Sequence, residues 1–229
     1  MWNGKKKAVT FSFDDGVTQD IRTIKILNKY GLKATFNLNS GFLGVTSAED
    51  AWGARRDKVP YSKVKEIYKE HEIAVHTLTH PNLTTLDEET IIRQVELDRK
   101  ALEELCGYEI VGMAYPCGGV NNDDRVAEII RKNTPIRYSR TITSTHNFDL
   151  QENLLRFNPT VYYMEHEKVQ SLIDEFLQKE TDKPQLFYFW GHTYEFDRNN
   201  GSWEEFEDIC KKLAGHDDIF YGTNKEVLL

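Results

Sequence analysis

A chain of 229 residues, 39% hydrophobic and 29% charged, has the composition of a globular protein able to bury one sizeable core. Its formal charge of −8 and pI near 5.4 exclude a general attraction to phosphate backbones or anionic membranes, and Lys5-Lys6-Lys7 is too short a cluster to reverse that. No run approaches the roughly 18 apolar residues of a membrane helix, so neither nucleic acid nor membrane insertion is expected.

The predicted elements alternate along the chain. "KAVTFSF" (7–13) reads as a strand, and Ile21–Tyr30 has helical spacing that stops at Gly31, a suitable C-cap. "KATFNLN" is a second strand, residues 61–71 a helix, and "EIAVHTL" a third strand. Asp87 reads as the N-cap of a long amphipathic helix to about Leu105. "IVGMAYP" is strand four, 122–132 a helix, and "IRYSRTI" strand five. "RFNPTVYY" is a strand that Pro159 demotes to an edge or a bend. A helix over Glu165–Lys179 precedes the apolar "PQLFYFWGH", a buried strand; a helix over Trp203–Leu213 and the strand "DIFYGT" follow. There is no repeat, low-complexity tract or linker, so residues 1–229 read as a single domain. Strands alternating with helices predict an α/β fold with parallel strands, either a barrel or a doubly wound sheet. In both, functional groups gather at the C-terminal ends of the strands.

Four polar clusters stand at such ends: Asp14-Asp15 after strand one, His76 and His80 of "HTLTH" after strand three, "YPCGG" (115–119) after strand four, and "WGH" ending at His192. Singly, each has an ordinary structural explanation. Asp-Asp-Gly is turn chemistry, and histidines four apart suggest a helix face. Here Thr77, Thr79 and Pro81 indicate a segment leaving a strand instead. Brought onto one rim by a parallel sheet, a carboxylate and two imidazoles form a ligand set for Zn²⁺ or another first-row divalent ion. Three protein ligands leave room for water and substrate. The cation also explains why two aspartates stand side by side: one binds it, and its charge lets the other stay ionised as a base. Water on such an ion can reach a pKa of about 7.

In the order and spacing of "SFDDG", "HTLTH", "YPCGG" and "FWGH", the chain resembles the polysaccharide deacetylase family (NodB-homology, carbohydrate esterase family 4) over residues 9 to about 222. The resemblance implies a distorted (β/α) barrel of about seven parallel strands and a metal-dependent hydrolase that removes N-acetyl groups from a glycan or amino sugar. Asp14 would be the general base, and Asp15, His76 and His80 would hold one divalent metal, Zn²⁺ first, with Co²⁺, Ni²⁺ or Mn²⁺ as alternatives. The backbone N–H of Cys117 would hold the oxyanion, His192 would be the general acid, and Trp190 and Tyr115 would contact substrate.

The pattern departs in two places. The family's arginine, two residues before the proline of its third motif, is here Ala114; Arg140, ending strand five, is the candidate replacement. The acidic motif that tunes the acid histidine is not recognisable, and Asp149, Glu195 and Asp197 are the candidate carboxylates. A Cys117 nucleophile is set aside for want of a histidine partner. Competing readings are an O-acetyl (xylan-type) esterase, a small-amide hydrolase, a non-catalytic carbohydrate-binding relative, and a two-metal phosphoesterase, which needs more carboxylates. The start lacks signal-peptide features, and three cysteines (Cys106, Cys117, Cys210) form no disulfide framework. The expected compartment is the cytoplasm, with a trimmed secreted or cell-wall protein as the alternative.

Overall fold

The central strand β1 (Lys7–Asp14) is buried along its whole length in the computed structural model, which describes residues 1–229. Its two faces have different surroundings, as the period-two alternation of a strand requires. Phe11 and Phe13 meet Phe206 on the helix side, and Phe13 also packs on Phe196 and Phe36. Ser12 and Asp14 face a polar interior, where both take a hydrogen bond from the Asn37 amide.

The chain then alternates: α1 (Asp20–Lys29), β2 (Ala34–Leu38), the short α2 (Val64–Ile67), β3 (Glu72–Val75), α3 (Glu88–Cys106), β4 (Gly112–Ala114), α4 (Asp124–Asn133) and β5 (Tyr138–Arg140). There follow β6 (Val161–Tyr162), α5 (His166–Gln178), β7 (Gln185–Gly191), α6 (Trp203–Leu213), β8 (Ile219–Tyr221) and α7 (Asn224–Leu228). Capping explains several boundaries. Asp87 accepts from the Thr90 N–H at 2.8 Å to open α3, which Gly107 closes in the left-handed region (φ 83°). Asp123 opens α4 in the same way.

The sheet order is β5-β4-β3-β2-β1-β7-β6, all parallel. The expected α/β fold with seven parallel strands is therefore present, as a distorted barrel. An eighth strand, β8, pairs with residues 7–9 of β1, below the stretch 11–14 that pairs with β2. Between β5 and β6 the ring is joined only by the single bridge Arg140–Phe157. Pro159 lies between that bridge and β6, which pairs with β7 alone, so this strand is an edge piece as the proline predicts. The expected helix over 61–71 is one turn of 3₁₀ helix at Tyr61–Lys63 followed by α2. No helix is long and apolar enough to cross a membrane.

Residues 44–60, where the sequence shows no periodic element, fold back over the end of β1. Val59 N–H donates to Gly16 at 2.9 Å and Thr18 N–H to Asp57 at 2.8 Å. This loop brings Arg56 and Lys58 to the C-terminal rim.

Candidate metal centre and active site

At the rim the strand ends enclose a cavity of about 370 Å³ whose wall includes Asp14, Asp15, His76, His80, Cys117 and His192. The four polar clusters of the sequence thus meet, as a parallel sheet demands. Arg56 and Tyr194 also line it.

The side-chain ligand atoms of Asp15, His76 and His80 lie within 4.8 Å of one another. Asp15 leaves β1 with φ 83°, and Gly16 follows at φ 61°; a Cβ on Gly16 would stand 2.8 Å from Leu38 Cδ2. That turn aims Asp15 at the histidines, with its Oδ1 3.6 Å from His80 Nε2 and 4.0 Å from His76 Nε2. His76 Nδ1 lies 2.9 Å from the Ala114 carbonyl. A carbonyl only accepts, so Nδ1 carries the proton and Nε2 presents its lone pair to the cavity. Burial pushes the His76 imidazole down to about 4 against the pull of Asp14, so it is neutral at pH 7. Asp15 is held well below the carboxylate range, because Lys58, His192, His76 and His80 together outweigh its burial. An ionised carboxylate and a neutral imidazole with its lone pair free suit a divalent cation. This triad fits a divalent-metal site.

Asp14, one residue away, has other partners. Arg140 Nη2 donates to both of its oxygens at 2.5 Å, and Asn37 Nδ2 donates to Oδ1 at 2.8 Å. Burial disfavours the Asp14 charge, yet Arg140, His76 and His192 hold its carboxyl below the usual range. Arg140 itself is fully buried, 4.4 Å from the centre of the Trp190 ring, which lies over its guanidinium. The register explains the arginine's position: Arg140 on β5 is the direct partner of Ala114 on β4. Arg140 therefore stands one strand away from position 114, at the same level of the barrel.

His192 meets Trp190 edge-on, with ring centroids 5.7 Å apart; its Nδ1 is 3.0 Å from Glu195 Oε1, while its backbone N–H donates to Glu195 Oε2 at 2.9 Å. Glu195 is buried and also accepts from the Tyr162 hydroxyl. Burial opposes a charge on His192, but Glu195, then Asp15 and Asp14, hold it up at about 9. The ring is therefore an imidazolium with Nε2–H free of Glu195. Of the three candidate carboxylates, Glu195 alone reaches His192. Asp149 takes a bond from Gln185, and Asp197 takes bonds from Gln19 and Trp203. The missed signal was the spacing His192-x-x-Glu195, which forms a capping box around the turn after β7.

Cys117 has φ 70°. Contrary to the expectation from sequence, Cys117 does have a histidine neighbour: Sγ lies 3.8 Å from His80 Nδ1 and 3.3 Å from the His80 carbonyl. Burial and nearby Asp15 nevertheless push the thiol up, which favours the protonated, less nucleophilic form. Buried Asn121, unread in the sequence, donates through Nδ2 to the carbonyls of Pro116 at 3.0 Å and Cys117 at 2.8 Å. The Cys117 N–H has no acceptor in the protein. The Tyr115 hydroxyl donates to the Leu155 carbonyl at 2.8 Å, so its proton is not available to a ligand, and Tyr115 lines the cavity as a wall. Asp98, also unread, accepts from the His76 N–H at 3.1 Å and the Ser40 N–H at 2.6 Å.

The family model for polysaccharide deacetylases matches residues 2–134. The chain belongs to the polysaccharide deacetylase family. A relative among curated proteins, the peptidoglycan-N-acetylglucosamine deacetylase PgdA of Listeria monocytogenes, is 27% identical over 126 residues, covering 54% of this chain and 24% of that protein. The match thus spans about a quarter of that relative's length. Among solved structures, the family 4 carbohydrate esterase from Streptomyces lividans, in complex with acetate, superposes with a TM-score of 0.59 at 14% identity, covering 96% of this chain and 93% of that one. BA3943 from Bacillus anthracis, a CE4 family pseudoenzyme, superposes with a TM-score of 0.58 at 18% identity, covering 99% of this chain and 66% of that one. At such identities the two structures show the fold.

Proposed function

We propose that this protein is a metal-dependent hydrolase that removes the acetyl group from an N-acetylated glycan or amino sugar. The observation that carries the reading is the different company kept by two adjacent carboxylates: Asp15 faces two histidines, whereas Asp14 is clamped by Arg140. A divalent cation held by Asp15, His76 and His80, Zn²⁺ first and Co²⁺, Ni²⁺ or Mn²⁺ as alternatives, would supply Lewis acidity to a water and to the acyl carbonyl. Asp14, ionised and aimed by Arg140 and Asn37, accepts the proton of the attacking water. The Cys117 N–H donates to the oxygen that gains charge; losing one such donor typically costs about 10²–10³ in rate. His192 delivers a proton from Nε2 to the departing nitrogen, and Glu195 fixes the ring and keeps it charged. Trp190 and Tyr115 wall the acetyl pocket.

An O-acetyl ester could use the same groups. The buried Glu195 behind His192 favours the amide, because an amine leaves only once protonated, whereas a sugar alkoxide is the better leaving group. The activity named for PgdA, on peptidoglycan N-acetylglucosamine, supports the same side. The likeness to BA3943, named a pseudoenzyme, is one of fold; in this chain Asp14, the Asp15–His76–His80 triad and His192 line one cavity. The test is acetate release from chitooligomers, peptidoglycan fragments and acetylated xylan with Zn²⁺ or Co²⁺ added. Release from the N-acetylated substrates, lost on chelation and in Asp14→Asn, is expected. Release that survives both treatments would sink the assignment.

A further inference from the structure

Asp20 opens α1 five residues after Asp15 and is completely buried, yet none of the groups assigned above uses it. Both of its oxygens are given to hydroxyls: Oδ1 accepts from Thr193 Oγ1 at 2.6 Å and Oδ2 from the Tyr68 hydroxyl at 2.6 Å. Burying a carboxylate on uncharged donors is costly. A place in the first turn of a helix offsets part of that cost, but an exposed acid would serve the helix as well. The reason for this one lies in what it holds. Thr193, also fully buried, is the residue after His192.

β1 and β7 are paired only as far as Phe13 opposite Gly191. Beyond that level no strand register fixes where His192 stands relative to Asp14. Glu195 holds the His192 ring, but it belongs to the same turn, Thr193–Asp197, and travels with it. Residues 17–20, which follow directly on the Asp14-Asp15-Gly16 turn, supply an outside reference. Asp20 takes Thr193 at the start of the acid's turn, and Gln19 Nε2 donates to Asp197 Oδ2 at 2.8 Å at its end. Val17 packs with Tyr194 between them. The Asp20 N–H donates to the Val17 carbonyl at 3.0 Å, which closes this short segment on itself. The Gln19–Asp197 bond is open to water, whereas the Asp20–Thr193 bond is sealed from it, so the buried pair is the stronger constraint.

We propose that Asp20 is a positioning residue: through Thr193 it sets where the His192 turn stands relative to the Asp14-Asp15 turn, and so the distance between acid and base. The inference rests on the hydrolase reading for the role of His192. A displacement of about 1 Å in a reacting group can cost about 10²-fold in rate, which gives one buried side-chain bond leverage on the reaction. Three variants of the zinc-loaded full chain separate positioning from folding. Thr193→Val is nearly isosteric and removes the donor, Thr193→Ser keeps it, and Tyr68→Phe removes the other bond to Asp20, on the side away from His192. Each is assayed on chitooligomers, whose amine leaves only once protonated, and on para-nitrophenyl acetate, whose leaving group needs no proton. Thr193→Val should lower kcat on the chitooligomers about tenfold or more and leave the aryl ester within about twofold. Thr193→Ser should keep the amide rate, and Tyr68→Phe should lower the melting temperature while the ratio of the two rates holds. Equal losses on both substrates, or no loss on the amide, in Thr193→Val overturn the proposal. If that variant does not fold, Asp20→Asn, which keeps an oxygen for only one of the two hydroxyls, should lower the same ratio to a smaller extent, and an unchanged ratio there is equally fatal. A readout without turnover keeps the two claims apart. The His192 ring protons sense the Trp190 ring 5.7 Å away on β7, so their NMR signals in the metal-free chain should move in Thr193→Val and stay in Tyr68→Phe. Unmoved signals in Thr193→Val overturn the positioning role, whereas a wild type that releases no acetate from any N-acetylated substrate overturns the hydrolase reading and leaves the signals to decide on Asp20.

Discussion

Asp15, Thr77, His80 and Cys117, on the half of the rim built by β1 to β4, all adopt left-handed backbone, with φ between 58° and 83°. In the half built by β5 to β7 no cavity-lining residue does so: Arg140 is within a strand, His192 leaves β7 at φ −119°, and the one left-handed residue there, His146 (φ 53°), does not line the cavity. Left-handed φ in residues with a Cβ is costly and persists where the surroundings impose it. Side chains able to ligate one ion must converge on one point, which accounts for the left-handed Asp15 and His80 and narrows the residue types there. The second half clamps the Asp14 carboxylate through Arg140 and holds the His192 ring through Glu195, tasks that several positions can perform. The family model covers the first half and stops at residue 134, before Arg140, Trp190, His192 and Glu195.

The largest effects should come from the strained half. Asp15→Asn should abolish metal binding, read by calorimetry with Zn²⁺, and reduce acetate release at least about 10³-fold. Asp14→Asn should reduce release by about 10²–10⁴-fold while metal still binds. If both variants lose the metal equally, the division between the two carboxylates is wrong.

Next is Arg140. Arg140→Met leaves a buried carboxylate without its cation, a change that typically costs about 3–5 kcal/mol and should appear as a lower melting temperature. Arg140 holds the Asp14 carboxyl down, so its loss raises that pKa and moves the acid limb of the rate profile to higher pH. Adding Ala114→Arg should restore part of the acid limb, since the two positions are paired across β4 and β5. No recovery in the double variant would show that the guanidinium's strand of origin matters.

Glu195→Gln should act more gently, and mainly on pH dependence. Glu195 supports the His192 value of about 9; without it the imidazole falls back toward its ordinary value of about 6.5. The alkaline limb of acetate release should then move down in pH. Stability of the metal-free protein gives a second readout. A histidine raised in the folded state contributes stability in full below about pH 6.5, which is lost as pH rises through about 9. That decline should be present in the wild type and flattened in Glu195→Gln.

The same contrast explains what was legible in the sequence. Asp14, Asp15, His76 and His80 could be found because chemistry dictates both their type and their position at strand ends. Arg140 was legible only as a cation in need of a place, since strand register is not written locally. Glu195 differs from Asp149 and Asp197 in the spacing His192-x-x-Glu195, which is that of a cap. Asn121, Asp98, Arg56 and Lys58 gave no signal: two act from buried positions through backbone bonds, and two lie in a loop with no periodicity. Helices with an Asp cap and a Gly stop, such as α3, were readable nearly to the residue.

The smallest effect tests whether the polar interior beneath Asp14 belongs with the chemistry or with the scaffold. Ser12 Oγ accepts from Asn37 Nδ2 at 2.9 Å, Arg140 Nε at 3.2 Å and Asn224 Nδ2 at 3.3 Å. Ser12→Ala removes the shared acceptor and leaves buried donors unmatched, a loss of about 1–3 kcal/mol readable by urea denaturation. Arg140 keeps both bonds to Asp14 and its bond to the Thr141 carbonyl at 3.0 Å, so the acid limb of the rate profile should stay in place. A limb that moves with Ser12→Ala would mean that the guanidinium is aimed from below by the interior network, and the unstrained half of the rim would then depend on the barrel's core as closely as the metal ligands depend on their backbone.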